Sequence, residues 1–187
     1  MRDVYFARVL CCAIALTLTN VIAASTPAAA SAPGLSAQQV GALGALGVRV
    51  ALPTYVPAGY SLEEVRITPC EYHVSRRSCS SGPDYIVRYH NGDAWFSFEE
   101  TTGDLGGTSL TYKTFVKTKI FGTVPLRFGS GGDGIGLTPS ASDLQAVQRE
   151  VYCDWLGAGP YYHLIGERIA PAVMVKILAS VDWQRGR

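Results

Sequence analysis

The chain has 187 residues, of which 48% are hydrophobic, 10% aromatic and 17% charged. An ordinary apolar share with so little charge excludes a disordered chain, and the length suits one domain that buries a core of its own. Sixteen Lys and Arg against fifteen Asp and Glu leave a net charge of +1, which excludes nucleic-acid binding driven by bulk electrostatics.

The first segment reads as an export signal. Arg2 and Arg8 form a basic leader, and Val9 to Thr19 is an apolar run of signal-peptide length. The small residues of VIAASTPAAASA then offer cleavage positions between Ala23 and Ala32. The run falls short of the roughly 20 apolar residues that span a bilayer, and Asn20 interrupts it. Cys11 and Cys12 lack the small preceding residue that lipid attachment needs. Cleavage removes Arg2, Arg8 and Asp3, so 16 minus 2 basic residues face 15 minus 1 acidic ones and the mature chain is neutral. Five cysteines become three: Cys70, Cys79 and Cys153. Residues 1–32 are read as signal and Ala/Pro/Ser tether, and 36–184 as one domain.

Ser36 to Gln39 has the form of a capping box that opens a short helix, weakened by Gly41, Gly44 and Gly47 and expected to pack closely on a sheet. Val48, Val50 and Leu52 alternate as a first strand ended by Pro53, and after a turn-rich stretch to Gly59 a second strand covers Leu62 to Thr68. Asn91-Gly92 is a two-residue hairpin signal. With that turn, Tyr89 faces Ala94, Val87 faces Phe96 and Tyr85 faces Phe98 on one uncharged side, while Arg88 faces Trp95 on the other. Tyr112 to Ile120 and Thr123 to Phe128 read as strands between the glycine-rich stretches 103–107 and 129–136. Residues 143–149 suit a helix capped by Ser142 or a strand continuing through Val151, Cys153 and Trp155. After a turn at 157–160, Tyr161 to Glu167 is a strand, and Pro171 opens a closing helix whose apolar stripe is Met174, Ile177, Leu178 and Val181. The expected fold is α+β: a twisted antiparallel sheet of about six to seven strands with a short N-terminal helix and a C-terminal helix packed on it.

LPTYVPAGYSLEEV, the paired strands DYIVRYHNGDAWFSFEET, the segment GPYYHLIGE and the closing helix with Ser180-Val181 together resemble a bacterial extracytoplasmic domain of unknown function. Its opening Pro-x-Tyr-x-Pro-x-Gly-Tyr is matched by Pro53, Tyr55, Pro57, Gly59 and Tyr60. The resemblance covers roughly Val48 to Trp183. It implies an exported α+β domain with relatives attached to anti-sigma regulators and to lipoprotein-sorting-like proteins, and it brings no catalytic residues.

Cys70 and Cys79 bracket a short loop, and in an exported chain a disulfide is expected there, worth about 2 to 3 kcal/mol in the chain-entropy model. A metal read from Cys70, His73, Cys79 and His90 lacks the two tight ligand pairs of zinc sites. Cys153 reads as a buried thiol, as half of an intermolecular disulfide, or as a nucleophile served by His163. Gly129, Gly131 and Gly134 match a dinucleotide pattern without the strand and helix it needs, and no calcium loop, nucleophile elbow or two-histidine metalloprotease motif is present. Lys113, Lys117 and Lys119 lie on one strand face with Phe115 among them, either guarding a sheet edge or offering an anion-binding stripe. Arg88 and Trp95 form a second candidate binding surface.

These features describe an exported, periplasmic or secreted, non-catalytic binding or envelope-interaction domain. No cofactor, metal or nucleic acid is expected, nor a stable membrane span after cleavage; the expected partner is an envelope protein or a lipid-like ligand. One alternative is a carrier of an apolar ligand between sheet and helices, in a cavity lined by Tyr85, Phe96 and Trp95. The other is a thiol enzyme using Cys153 and His163.

Overall fold

The computed structural model describes residues 32–75, 78–79, 82–101, 110–131, 138–145, 148–156 and 161–184. The elements are α1 (Ala37–Gly44), β1 (Ala51–Pro53), β2 (Ser61–Thr68), β3 (Tyr72–His73), β4 (Ser78–Cys79), β5 (Asp84–Asn91) and β6 (Ala94–Thr101). They continue with β7 (Leu110–Lys117), β8 (Thr123–Gly131), α2 (Ala141–Gln145), β9 (Gln148–Leu156), β10 (Tyr161–Ile169), α3 (Pro171–Ala179) and β11 (Val181–Trp183). This is the expected α+β class, mostly antiparallel strand. The strands do not all share one sheet, however, as the sequence suggested. β1 pairs only with β11, β3 pairs with β4, and the ladder β2-β5-β6-β10-β9-β8-β7 holds the rest.

Alternation builds the main ladder. Tyr85, Val87, Tyr89, Phe96, Phe98, Leu126, Phe128 and Leu164 are all buried, and Met174, Ile177 and Leu178 of α3 pack into the same core. Pro171 supplies the fixed φ of the first turn of α3, where a missing N–H costs nothing. Val181, expected as the last residue of that helical stripe, is buried as the first residue of β11 instead. Proline at 53 limits β1 to three residues, and α3 carries the chain back so that Ala51 stands opposite Trp183 and Pro53 opposite Val181.

The hairpin turn sits one residue later than expected. Asn91 pairs with Ala94, leaving Gly92 and Asp93 as the loop, with Gly92 at φ 58 in the first central position as a type II′ turn requires. Partners therefore move by two: Val87 faces Phe98, Tyr89 faces Phe96, Tyr85 faces Glu100, and Trp95 faces His90 rather than Arg88. An even shift leaves every side chain on its face, although Ser97 of the outer set is buried as well and Glu100 joins the core side.

Other boundaries shift by local chemistry. β7 ends at Lys117, before Lys119, and β8 runs on through Gly129 to Gly131. The stretch 143–149 divides between the end of α2 and the start of β9, and Ser142 lies inside the helix. The capping box forms, with the Ser36 amide donating to Gln39 Oε1 at 2.9 Å and the Gln39 amide donating to Ser36 Oγ at 3.3 Å. A Cβ at Gly41, Gly44 or Gly47 would meet nothing within 4 Å, so these glycines do not serve close packing on the sheet. The signal segment and the stretches 103–107, 132–136 and 157–160 lie outside the described residues. Among the described residues no helix is long and apolar enough to cross a membrane.

Candidate functional site

The sulfur atoms of Cys70 and Cys79 lie 2.02 Å apart, joining the chain around the β3–β4 ladder. Both thiols are then unavailable to a metal. His73 belongs to this exposed ladder and His90 contacts Ser61 Oγ at 3.1 Å, so the residues of the metal reading do not converge. No group of three or more His, Cys, Asp or Glu among the described residues is placed to hold a metal ion.

The β9–β10 ladder sets Cys153 opposite Leu164, not His163. His163 faces Glu99 across β6 and β10 and is only 1% exposed, while Ser97 Oγ donates to Glu99 Oε1 at 2.7 Å. A general base must reach a proton on the substrate, and a histidine this buried does not. The Cys153 side chain lies outside the described residues.

The five surface candidates do not make one surface. Arg88 lies over the Trp95 ring at 4.8 Å, and Trp95 Nε1 donates to Glu167 Oε2 at 3.3 Å, so the half-buried indole is held on both sides. Across the sheet, β7 is an edge strand. Lys113 and Lys117 share its outer face with Phe115, which is 63% exposed, and Lys113 Nζ lies 5.0 Å from that ring. Lys119 leaves the stripe, because it lies past the strand and pairs with Asp182 at 3.6 Å.

An interior cavity lined by Tyr85, Phe96 and Trp95 does not form. Tyr85 and Phe96 are buried in packed core, Phe96 stacks on Tyr89 at 5.0 Å, and Trp95 belongs to the opposite face. A different concavity of about 370 Å³ opens between α1 and the β1–β11 pair. Its walls are Leu35, Val40, Leu43, Val48, Val50 and Trp183, with Gly44 and Gln184, and Arg49 is the one charged residue among the described residues that line it. The Arg49 guanidinium lies 3.9 Å from the Trp183 ring centroid, and no carboxylate among the described residues pairs with it. A second depression of about 350 Å³ at the ends of β2, β5 and β6 is lined by Arg66, Asp84, Tyr85, Glu99, Glu100 and Thr101.

Beneath the groove wall, one row across the sheet reads Ile67, Tyr85, Glu100, Tyr162. Tyr85 Oη donates to the Ala51 carbonyl at 2.7 Å and accepts from the Ala51 amide at 2.9 Å; Tyr162 Oη donates to the Arg49 carbonyl. Glu100, between them, is 1% exposed, and neither carboxylate oxygen has a hydrogen-bond partner among the described residues. Burial, and secondarily the charge of Asp84, pushes its carboxyl up to about 7. Burial likewise raises Tyr162 to about 12 and Tyr85 well above the usual phenol value, and the Glu100 charge adds to both.

No family model, curated protein or solved structure matches the chain. Arg49, Trp183 and Glu100 escaped the sequence reading. The period-2 pattern of Phe96 and Phe98 extends to Glu100, and that extension is the signal by which it could have been found.

Proposed function

We propose that this is an exported, non-catalytic binding domain that holds an amphipathic anion, a carboxylate or phosphate joined to an apolar body, in the α1–β11 groove. The observation that carries the reading is Arg49 stacked on Trp183 in a largely apolar groove of about 370 Å³. A volume of a few hundred Å³ suits a small ligand, apolar walls give affinity, and one cation that pairs with no carboxylate among the described residues orients an acidic head. Export is supported by the leader-like first segment, by the exposed Cys70–Cys79 pair, which suits an oxidising compartment, and by the resemblance to extracytoplasmic domains.

The test is calorimetric titration of the mature protein with decanesulfonate and with decyltrimethylammonium. Decanesulfonate should bind preferentially, and Arg49→Met should weaken it about tenfold, the loss of one charge-assisted contact. Equal binding of the two amphiphiles, or of wild type and variant, would overturn the reading. A second reading rests on Phe115, exposed between Lys113 and Lys117, as an envelope contact. Binding of the mature protein to phosphatidylglycerol vesicles that disappears with added salt is its expected result, and salt-independent binding counts against it.

A further inference from the structure

We propose that Glu100 is a protonation switch for the groove: on losing its proton to solvent it draws the Tyr85 and Tyr162 hydroxyls off the Arg49–Ala51 backbone and frees the segment that walls the ligand site. The inference rests on the groove reading for what the switch controls, but its physical basis is independent of any ligand. A carboxyl this buried, with neither oxygen bonded among the described residues, is tolerable only as the neutral acid, since an unpaired buried charge costs several kcal/mol.

The groups facing Glu100 decide what happens when that charge forms. From β5 come Tyr85 and, acting from the outer face, Asp84; from β2 comes Arg66 and from β6 itself Glu99, both on the depression that Glu100 also lines; from β10 comes Tyr162; from the segment before β1 comes Arg49, which acts on Tyr162. α3 presents apolar Met174, Ile177 and Leu178 to the core. Asp84 repels the new charge, and Arg49 is held outside on Trp183. The two phenols are the donors that flank Glu100 in its own row, and both are spent on backbone carbonyls. Turning from a neutral carbonyl to a carboxylate exchanges an ordinary hydrogen bond for a charge-assisted one of about twice the strength, and both tyrosines keep their protons. The cost falls on Arg49 and Ala51. Ala51 loses the partner of both its N–H and its C=O, so β1 and its partner β11 loosen together.

A carboxyl that titrates near 7 when covered and near 4.5 when freed makes opening more favourable throughout that interval. The protection of the Ala51 amide against hydrogen exchange should therefore fall about fiftyfold between about pH 5 and pH 7.5, after correction for intrinsic chemistry. In Glu100→Gln the Ala51 amide should hold its protection over the same interval. Equal behaviour of wild type and variant would overturn the switch. Should the variant fail to fold, the carboxyl carbon shift of Glu100 in the wild type decides, and titration at the ordinary glutamate value refutes the proposal. Decanesulfonate, ionised at both pH values, separates the two ideas. No binding at about pH 5 removes the groove reading and leaves the exchange result to judge the switch. Binding equal at both pH values while Ala51 deprotects removes control of the groove by Glu100.

Discussion

Glu100→Gln keeps the shape of a buried side chain and removes its ability to ionise. The carboxyl sits at about 7 in the folded chain against an ordinary 4.5. At about 1.4 kcal/mol per pH unit, that interval corresponds to about 3 kcal/mol held against the folded state once the group is ionised in both states. The sign follows from proton counting. Between the two values the native chain binds a proton that the unfolded chain has released, so stability falls as pH rises. The penalty is absent below about 4.5, grows to about 7 and is constant beyond. Release of the Arg49–Ala51 segment limits the loss to the cost of opening, which makes about 3 kcal/mol an upper figure. Thermal melts followed by circular dichroism should show Glu100→Gln equal to wild type near pH 4.5. By about pH 8 the variant should melt higher by about 6 to 12 °C, for a domain of this size. A melting difference that does not change with pH, or a wild type more stable than the variant at about pH 8, would refute the reasoning.

Tyr85→Phe leaves the Ala51 N–H and C=O without their side-chain partner in a fully buried position; urea unfolding should show a loss of about 2 to 4 kcal/mol, and a loss below about 0.5 would deny the clamp its importance. Two glycines should answer in opposite directions to alanine. Gly41, in α1 with open space around it, should gain about 0.5 to 1 kcal/mol, whereas at Gly166 a Cβ would lie 2.9 Å from Ile169 Cγ2 and 3.2 Å from the Trp95 carbonyl. Overpacking there should cost about 1 to 3 kcal/mol, checked by the same unfolding curves; a neutral Gly166→Ala would mean that the core around Met174 yields easily.

Much of the architecture was legible because its causes are local. Alternation of Tyr85, Val87 and Tyr89 against Phe96 and Phe98 assigns the buried face, Ser36 and Gln39 start one helix, and Pro171 starts another. The turn position was not, because Gly92 serves either a loop at 91–92 or one at 92–93 and a two-residue slip leaves the hydrophobic pattern unchanged. That slip matters: it replaces Phe98 by Glu100 as the partner of Tyr85. β11 was invisible for another reason. Three residues carry too little pattern to read as a strand, and its pairing with β1 joins residues as far apart as Ala51 and Trp183.

By itself the sequence determined the class of fold, the faces of its strands and the disulfide partners, since each depends on neighbours a few residues away. The groove, the guanidinium of Arg49 on Trp183 and the buried acid beneath them were decided only in three dimensions. Burial and partnership are properties of surroundings, and the surroundings of Glu100 come from β5, β10 and the segment leading into β1, which meet only when the chain has closed on itself.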